Sequence, residues 1–213
     1  MVVVLGSGGH TAEMQSLMRC IDPRKYRQRT YVVSSGDDFS SSKAFEIEQK
    51  IQSKCTKEGT STIGAGEKDP IVGSWEIKVV PRARKIHQPL YTTVFSSIWC
   101  LIGCFKALID AARDSTISPG EYPDIIVTNG PATAVMVILA SVMLKFLGVA
   151  PAWKMSSIYV ESWARIKTLS LSGKVLLHLG FCDQFIVQWD ILAQAINGKS
   201  RWKKVEWHGF LVE

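Results

Sequence analysis

Val2-Val3-Val4-Leu5-Gly6-Ser7-Gly8-Gly9-His10-Thr11 is the stretch that decides the fold. Its first four residues are apolar and three are β-branched, so they form a buried type of strand, and Gly6 stops it. Met14, Leu17, Met18 and Ile21 then recur at i, i+3, i+4 and i+7, the apolar face of a helix. A strand that turns through glycines into a helix is the opening unit of an α/β fold.

The alternation continues along the chain. Tyr31 to Val33 reads as a second strand closed by Ser34, Ser35 and Gly36, and Glu76 to Val80 as a third stopped by Pro81. A long helix from about Leu90 to Ala112 leads to a fourth strand, Asp124 to Thr128, stopped by Asn129, Gly130 and Pro131. Beyond it, Ala132 to Leu147 is helical, Met155 to Val160 a strand, Val175 to Gly180 helical, Phe185 to Gln188 a strand and Ile191 to Ile196 helical. The pattern predicts an α/β fold over residues 1 to 213, a single Rossmann-like domain with a doubly wound parallel sheet. One stretch breaks the rhythm: from Ser53 to Ser74 the chain is rich in Gly, Ser and Thr, and a long mobile loop is expected there.

The 213 residues suit one generous domain, and 46% hydrophobic with 21% charged residues excludes wholesale disorder. A formal charge of +6 favours anionic partners, whether phosphorylated ligands, acidic headgroups or nucleic acid. Five cysteines at irregular spacing suit neither a disulfide framework nor a zinc site; a reducing, cytosol-facing environment is expected. Cys100 and Cys104, four apart in an apolar helical run, read as core filling. No signal peptide is expected, since the first strand follows Met1 at once.

In an open α/β sheet ligands bind beyond the carboxyl ends of the strands. Gly6-Ser7-Gly8-Gly9-His10-Thr11 lies there, with glycines that let backbone amides approach a phosphate and a helix start that offers its positive end. Thr11 occupies the third glycine position of a dinucleotide fingerprint, and His10 stands where a P-loop has lysine, which leaves an anion site without either nucleotide motif. Ser34-Ser35-Gly36-Asp37-Asp38 either binds a polar ligand or caps a helix. Arg82, Arg84 and Lys85 suit a diphosphate or an acidic membrane, or form a solvated loop. Asn129-Gly130-Pro131 opens a further helix toward the same edge. The fifth strand delivers Glu161, followed by Ser162 and Arg165; the carboxylate either serves a ligand or pairs with Arg165. Leu90 to Ile109 carries only Lys106 as a charge and is apolar on both faces, which fits a core helix or a membrane-dipping edge, and by length alone a membrane span.

Together these motifs, the first extended through Ala12-Glu13, the third read as Pro81-Arg82-Ala83-Arg84 and the fifth as Tyr159-Val160-Glu161-Ser162-Trp163-Ala164-Arg165, with Leu169-Ser170-Leu171-Ser172-Gly173-Lys174 after it, cover nearly the whole chain. In order and spacing they resemble the membrane-anchoring, acceptor-binding subunits of the two-subunit N-acetylglucosaminyltransferase that adds the second sugar to dolichol-linked oligosaccharide. The first and last motifs are also similar to the acceptor half of the bacterial transferase acting on lipid-linked muramyl peptide. The resemblance implies the N-terminal, acceptor half of a GT-B glycosyltransferase, with the donor half on another chain. It implies inverting transfer of N-acetylglucosamine from UDP-N-acetylglucosamine, held mainly by the partner, to GlcNAc-diphospho-dolichol, and no activity without that partner. One alternative is a scaffold that only recruits a catalytic partner to the membrane; a second is a nucleotide-binding Rossmann enzyme acting alone, disfavoured by Thr11 and the missing donor half. The implied location is the cytosolic face of the endoplasmic reticulum membrane, here without the family's N-terminal anchor. No cofactor, metal or nucleic acid is expected. The catalytic candidates are His10 and Glu161, either as general base and Glu161 preferentially for positioning the acceptor sugar. Gly6, Ser7, Gly8, Gly9 and Thr11 would hold the acceptor diphosphate, Arg82 and Arg84 would add charge, and Asn129, Gly130, Ser162 and Arg165 complete the acceptor-binding set.

Overall fold

The β-branched runs pair side by side: Val2 to Leu5 lies in register with Thr30 to Val33 on one side, and Val2 to Val4 with Ile126 to Thr128 on the other, all parallel. A computed structural model of the protein describes residues 1–58, 73–84, 90–115, 119–130, 132–198 and 204–211. The strands are β1 (Val2–Leu5), β2 (Gln28–Ser34), β3 (Ser74–Val80), β4 (Ile125–Asn129), β5 (Ser156–Val160) and β6 (Gln184–Ile186). Their order across the sheet is β3-β2-β1-β4-β5-β6. The helices are α1 (Gly9–Leu17), α2 (Asp38–Glu58), α3 (Leu90–Arg113), α4 (Ala132–Phe146), α5 (Leu171–Leu179) and α6 (Asp190–Asn197). This is the expected Rossmann-like arrangement.

Alternation along each strand divides the core between the two faces of the sheet. Val3, Leu5, Tyr31 and Val33 pack with Met14 of α1 and Ala44, Ile47 and Ile51 of α2. Val2, Val4, Val32 and Val80 pack on the other face with Cys100, Cys104 and Leu108 of α3 and Val137 and Leu144 of α4. A third cluster joins Tyr159 and Phe185 to Leu176 of α5 and Leu192 of α6. Cys100 and Cys104 are fully buried, as their spacing predicts.

Two expectations need correction. The sequence reading places no helix between the second and third strands, whereas α2 fills that interval and includes Ser53 to Glu58, assigned above to a loop. The cause is tertiary: the thin apolar row Ala44, Ile47 and Ile51 has a sheet face to cover, and Asp37 starts the helix by accepting from the Ser40 amide at 3.1 Å. Residues 59–72 of the expected loop lie outside the described residues, as do Lys85 and Pro131. The chain returns at Gly73, held at φ 73° with no space for a Cβ against the Arg27 carbonyl, and Ser74 starts β3. The polar turn before α2 is thus a cap, the second of the two roles open to it.

α3 is the other feature that shapes function. Its Cys100, Cys104 and Leu108 row is buried, while Val94, Phe95, Ile98, Trp99 and Ile102 are exposed, Phe95 at 77% and Trp99 at 65%. Among the described residues, Thr93–Arg113 is long and apolar enough to cross a membrane by length and composition alone. It nevertheless packs along one side as a core helix, so the apolar face left over is the opposite one.

Candidate functional site

The strand order reverses between β1 and β4, and a crevice opens there between the loops that follow the two strands. After β1 the chain passes buried Gly6 to exposed Ser7, Gly8 and Gly9. Gly8 sits at φ 63° as N-cap of α1 and has no side chain with which to cap it. The first helical bonds run from the Thr11 and Ala12 amides to the Gly8 carbonyl, at 3.1 and 3.4 Å. The Gly9 and His10 amides precede them, so the positive end of α1 opens at the sheet's carboxyl edge.

His10 stands at that mouth with a third of its side chain exposed. Its Nδ1 is 3.0 Å from Oδ1 of Asn129, the last residue of β4 and completely buried. Asn129 Nδ2 donates to Glu13 Oε2 at 2.6 Å, and the Ser162 hydroxyl donates to Glu13 Oε1 at 2.6 Å. Glu13 is 4% exposed and lies one turn along α1 from His10, with 3.8 Å between His10 Nδ1 and Glu13 Oε2. Burial pushes the Glu13 carboxyl up, but contacts with His10, Ser162 and Asn129 outweigh it and hold the group below its ordinary value, as a carboxylate. That carboxylate raises the His10 imidazole above its ordinary value against the effect of burial, with Asn129 and the Glu161 charge adding. Gly130, at φ 91°, leaves room for the ring: a Cβ there would meet His10 Cγ at 2.5 Å.

The structure therefore brings His10, Asn129, Gly130 and Ser162 together. It adds Glu13, which the sequence reading did not single out although it lies three residues after His10, the spacing that stacks side chains on one helix face.

Other candidates do structural work. Thr11 is fully buried, its amide committed to Gly8 and its hydroxyl bonded to Ser40 Oγ at 2.7 Å, so it ties α1 to α2 and does not present a group to an anion. Arg82 donates from Nε to the Ser35 carbonyl at 2.8 Å and from Nη2 to the Gly36 carbonyl at 2.9 Å, bracing the turn before α2. Arg84 and Arg165 are exposed. Glu161 is 1% exposed and does not pair with Arg165. Its Oε1 accepts from the Ser162 amide at 3.1 Å, and its Oε2 from the amide and hydroxyl of Ser170, each at 3.0 Å. Ser170 is in turn the N-cap of α5, and Gly173 leaves no room for a Cβ against Glu161 Oε2. A carboxylate so enclosed at a helix start anchors the loop that carries Ser162.

Beside the crevice, at the carboxyl ends of β2 and β3, a groove of about 770 Å³ is lined by Ser35, Gly36, Val79, Pro81, Arg82 and Trp99. It runs from the turn before α2 to the exposed apolar face of α3. A second cleft of about 750 Å³, between α1 and α2, contains none of the candidate residues. Among the described residues there is no cluster of His, Cys, Asp and Glu able to hold a metal ion.

Comparison with known proteins shows the family. The family described as "Oligosaccharide biosynthesis protein Alg14 like" matches residues 1–211. A protein of Aspergillus fumigatus named "UDP-N-acetylglucosamine transferase subunit alg14" is 37% identical, over 91% of this chain and 96% of its own length. The Schizosaccharomyces pombe protein of the same name is 36% identical, over the whole of this chain and 83% of its own. The Rattus norvegicus protein "UDP-N-acetylglucosamine transferase subunit ALG14" is 32% identical over 91% and 77% respectively. No solved structure matches the chain.

Proposed function

Since the chain belongs to the Alg14-like family of oligosaccharide biosynthesis proteins, we propose that it is the acceptor-binding, membrane-recruiting subunit of an inverting glycosyltransferase. That enzyme transfers N-acetylglucosamine from UDP-N-acetylglucosamine to GlcNAc-diphospho-dolichol. The observation that carries the reading is the crevice between β1 and β4, where an uncapped helix start and an imidazole backed by a carboxylate face the same opening. The relatives are named as subunits over most of their length, which supports a partner that holds the nucleotide sugar.

In this reading the diphosphate of the acceptor lies against the amides of Gly9 and His10. The acceptor hydroxyl approaches His10, whose Nε2 takes its proton as the oxygen bonds to the anomeric carbon and the bond to UDP breaks. Glu161, enclosed by Ser162 and Ser170, positions the loop and does not move the proton. The test is an assay with a short lipid-diphosphate acceptor and UDP-N-acetylglucosamine, using this chain alone and with its donor-binding partner. Transfer only in the mixture is expected; transfer by this chain alone, or none in the mixture, overturns the split-site reading.

The acceptor's lipid requires a membrane nearby, and the exposed row Phe95, Ile98, Trp99 and Ile102, beside Arg84, is the surface suited to it. The protein is expected to float with anionic liposomes at low salt and less at high salt. Burying an aromatic of this size contributes about 1.5–3 kcal/mol, so Trp99→Ser should weaken partitioning roughly ten- to hundredfold. A Trp99→Ser variant that floats like the unmodified protein removes α3 from the membrane face.

A further inference from the structure

The hydrogen bonds around Glu13 have only one consistent direction. A carboxylate accepts and cannot donate, so the group that Asn129 turns toward Glu13 Oε2, at 2.6 Å, is its NH2. Its carbonyl oxygen then faces His10 Nδ1 at 3.0 Å, and an acceptor there requires Nδ1 to carry a hydrogen. The Ser162 hydroxyl fills the other oxygen of Glu13 and accepts from the Ala164 amide at 3.3 Å, which sets its direction too. His10 Nε2 has no partner among the described residues. We propose that Glu13 is the positioning residue of the site: acting through Asn129 it keeps the proton of the neutral His10 imidazole on Nδ1 and leaves the lone pair on Nε2.

This rests on the reading of His10 as the proton acceptor and says what makes it one. A neutral imidazole has a single basic nitrogen, and which it is depends on the bond made by the other. Were Asn129 reversed, its NH2 would face Nδ1, the proton would sit on Nε2 and that nitrogen would be unable to accept. The wrong tautomer in a comparable relay costs up to ~10⁴-fold in turnover. Glu13 prevents the reversal because a carbonyl oxygen facing a buried carboxylate is repulsive and leaves both unpaired. It also supplies charge: the charged groups that face His10 are Glu13 on α1 and Glu161 at the end of β5, and both raise its basicity.

The tautomer is read directly from two-bond ¹⁵N–¹H couplings of ¹⁵N-imidazole-labelled full chain, above the pH at which His10 titrates. The unmodified protein should show hydrogen on Nδ1 of His10; hydrogen on Nε2 overturns the proposal without need of any variant. Glu13→Leu, which removes the acceptor and frees Asn129 to turn, should lose the Nδ1–H form, and turnover of the assembled transferase should fall ~100-fold or more with KM little changed. Retention of the Nδ1–H tautomer in a folded Glu13→Leu protein also overturns it. Glu13→Gln keeps the shape and removes the charge. It should lower the His10 pKa and move the acid limb of the kcat/KM profile to lower pH, a change that a purely structural glutamate would not produce. If the Nδ1–H lock is found but His10→Ala leaves transfer intact, the inference about Glu13 stands and the role given to His10 fails.

Discussion

His10→Ala is expected to abolish transfer by the assembled complex, with a loss of ~100-fold or more, because His10 supplies the crevice's one imidazole among the described residues. It also strips the donor from the buried Asn129 carbonyl, and an orphaned buried acceptor costs about 1–3 kcal/mol. His10→Gln separates the two effects. Its side-chain amide can donate to Asn129 Oδ1 but cannot take a proton at neutral pH, so turnover should fall as far while the melting transition stays closer to that of the unmodified protein. A scaffold that only recruits a partner would tolerate both substitutions. Activity of His10→Gln above about a tenth of the unmodified complex removes the imidazole from the chemistry.

The largest effect on stability is expected far from the crevice, at Glu48. Arg29 on β2 is completely buried and grips this α2 carboxylate with both Nε and Nη2, each at 2.7 Å, while the Tyr31 hydroxyl donates to the same carboxylate at 2.7 Å. Burial, then the neighbouring Glu48 charge, pushes the Tyr31 hydroxyl pKa up, so it remains a donor. Breaking a buried pair leaves the surviving guanidinium without its counter-charge, and Glu48→Gln should cost about 3–5 kcal/mol. Against a typical total of about 5–15 kcal/mol this is large enough to read as a lower urea midpoint at unchanged slope. A midpoint shift equivalent to less than about 1 kcal/mol shows that the pair is solvated.

The strands of this sheet could be read from the sequence because a parallel strand is buried on both faces and appears as an unbroken apolar run. Val2 to Leu5, Tyr31 to Val33 and Ile125 to Val127 within the expected strand Asp124 to Thr128 announce themselves in this way, and the sequence rule for the carboxyl edge then points to His10, Asn129 and Gly130. α2 was not legible. Its buried row is only Ala44, Ile47 and Ile51, Phe39 and Phe45 stay exposed, and serines, lysines and glutamates fill most of the rest, so the sheet face it covers is what makes it a helix. Glu13, though it closes the first motif, and Glu48 draw no role from the sequence for a related reason. A carboxylate on a helix ordinarily belongs to the solvated face, and the donors that bury these two stand on other elements: Asn129 and Ser162 for one, Arg29 and Tyr31 for the other. Glu161 and Thr11 misled in the opposite sense, since their place in the chain is that of ligand-facing groups while their partners, Ser170 and Ser40, arrive through packing.

The crevice joins residues that are made at very different times. Asn129 follows His10 by 119 residues and Ser162 follows Glu13 by 149. At about 5–20 residues per second of synthesis, Glu13 precedes its serine donor by roughly 7 to 30 s. For most of that interval α1 has neither β4 nor the loop after β5 to pack against, and its carboxylate stays in water. The desolvation that would be prohibitive for a lone charge is thus deferred until the groups replacing its hydration shell have been translated, and water leaves Glu13 as Asn129 and Ser162 arrive.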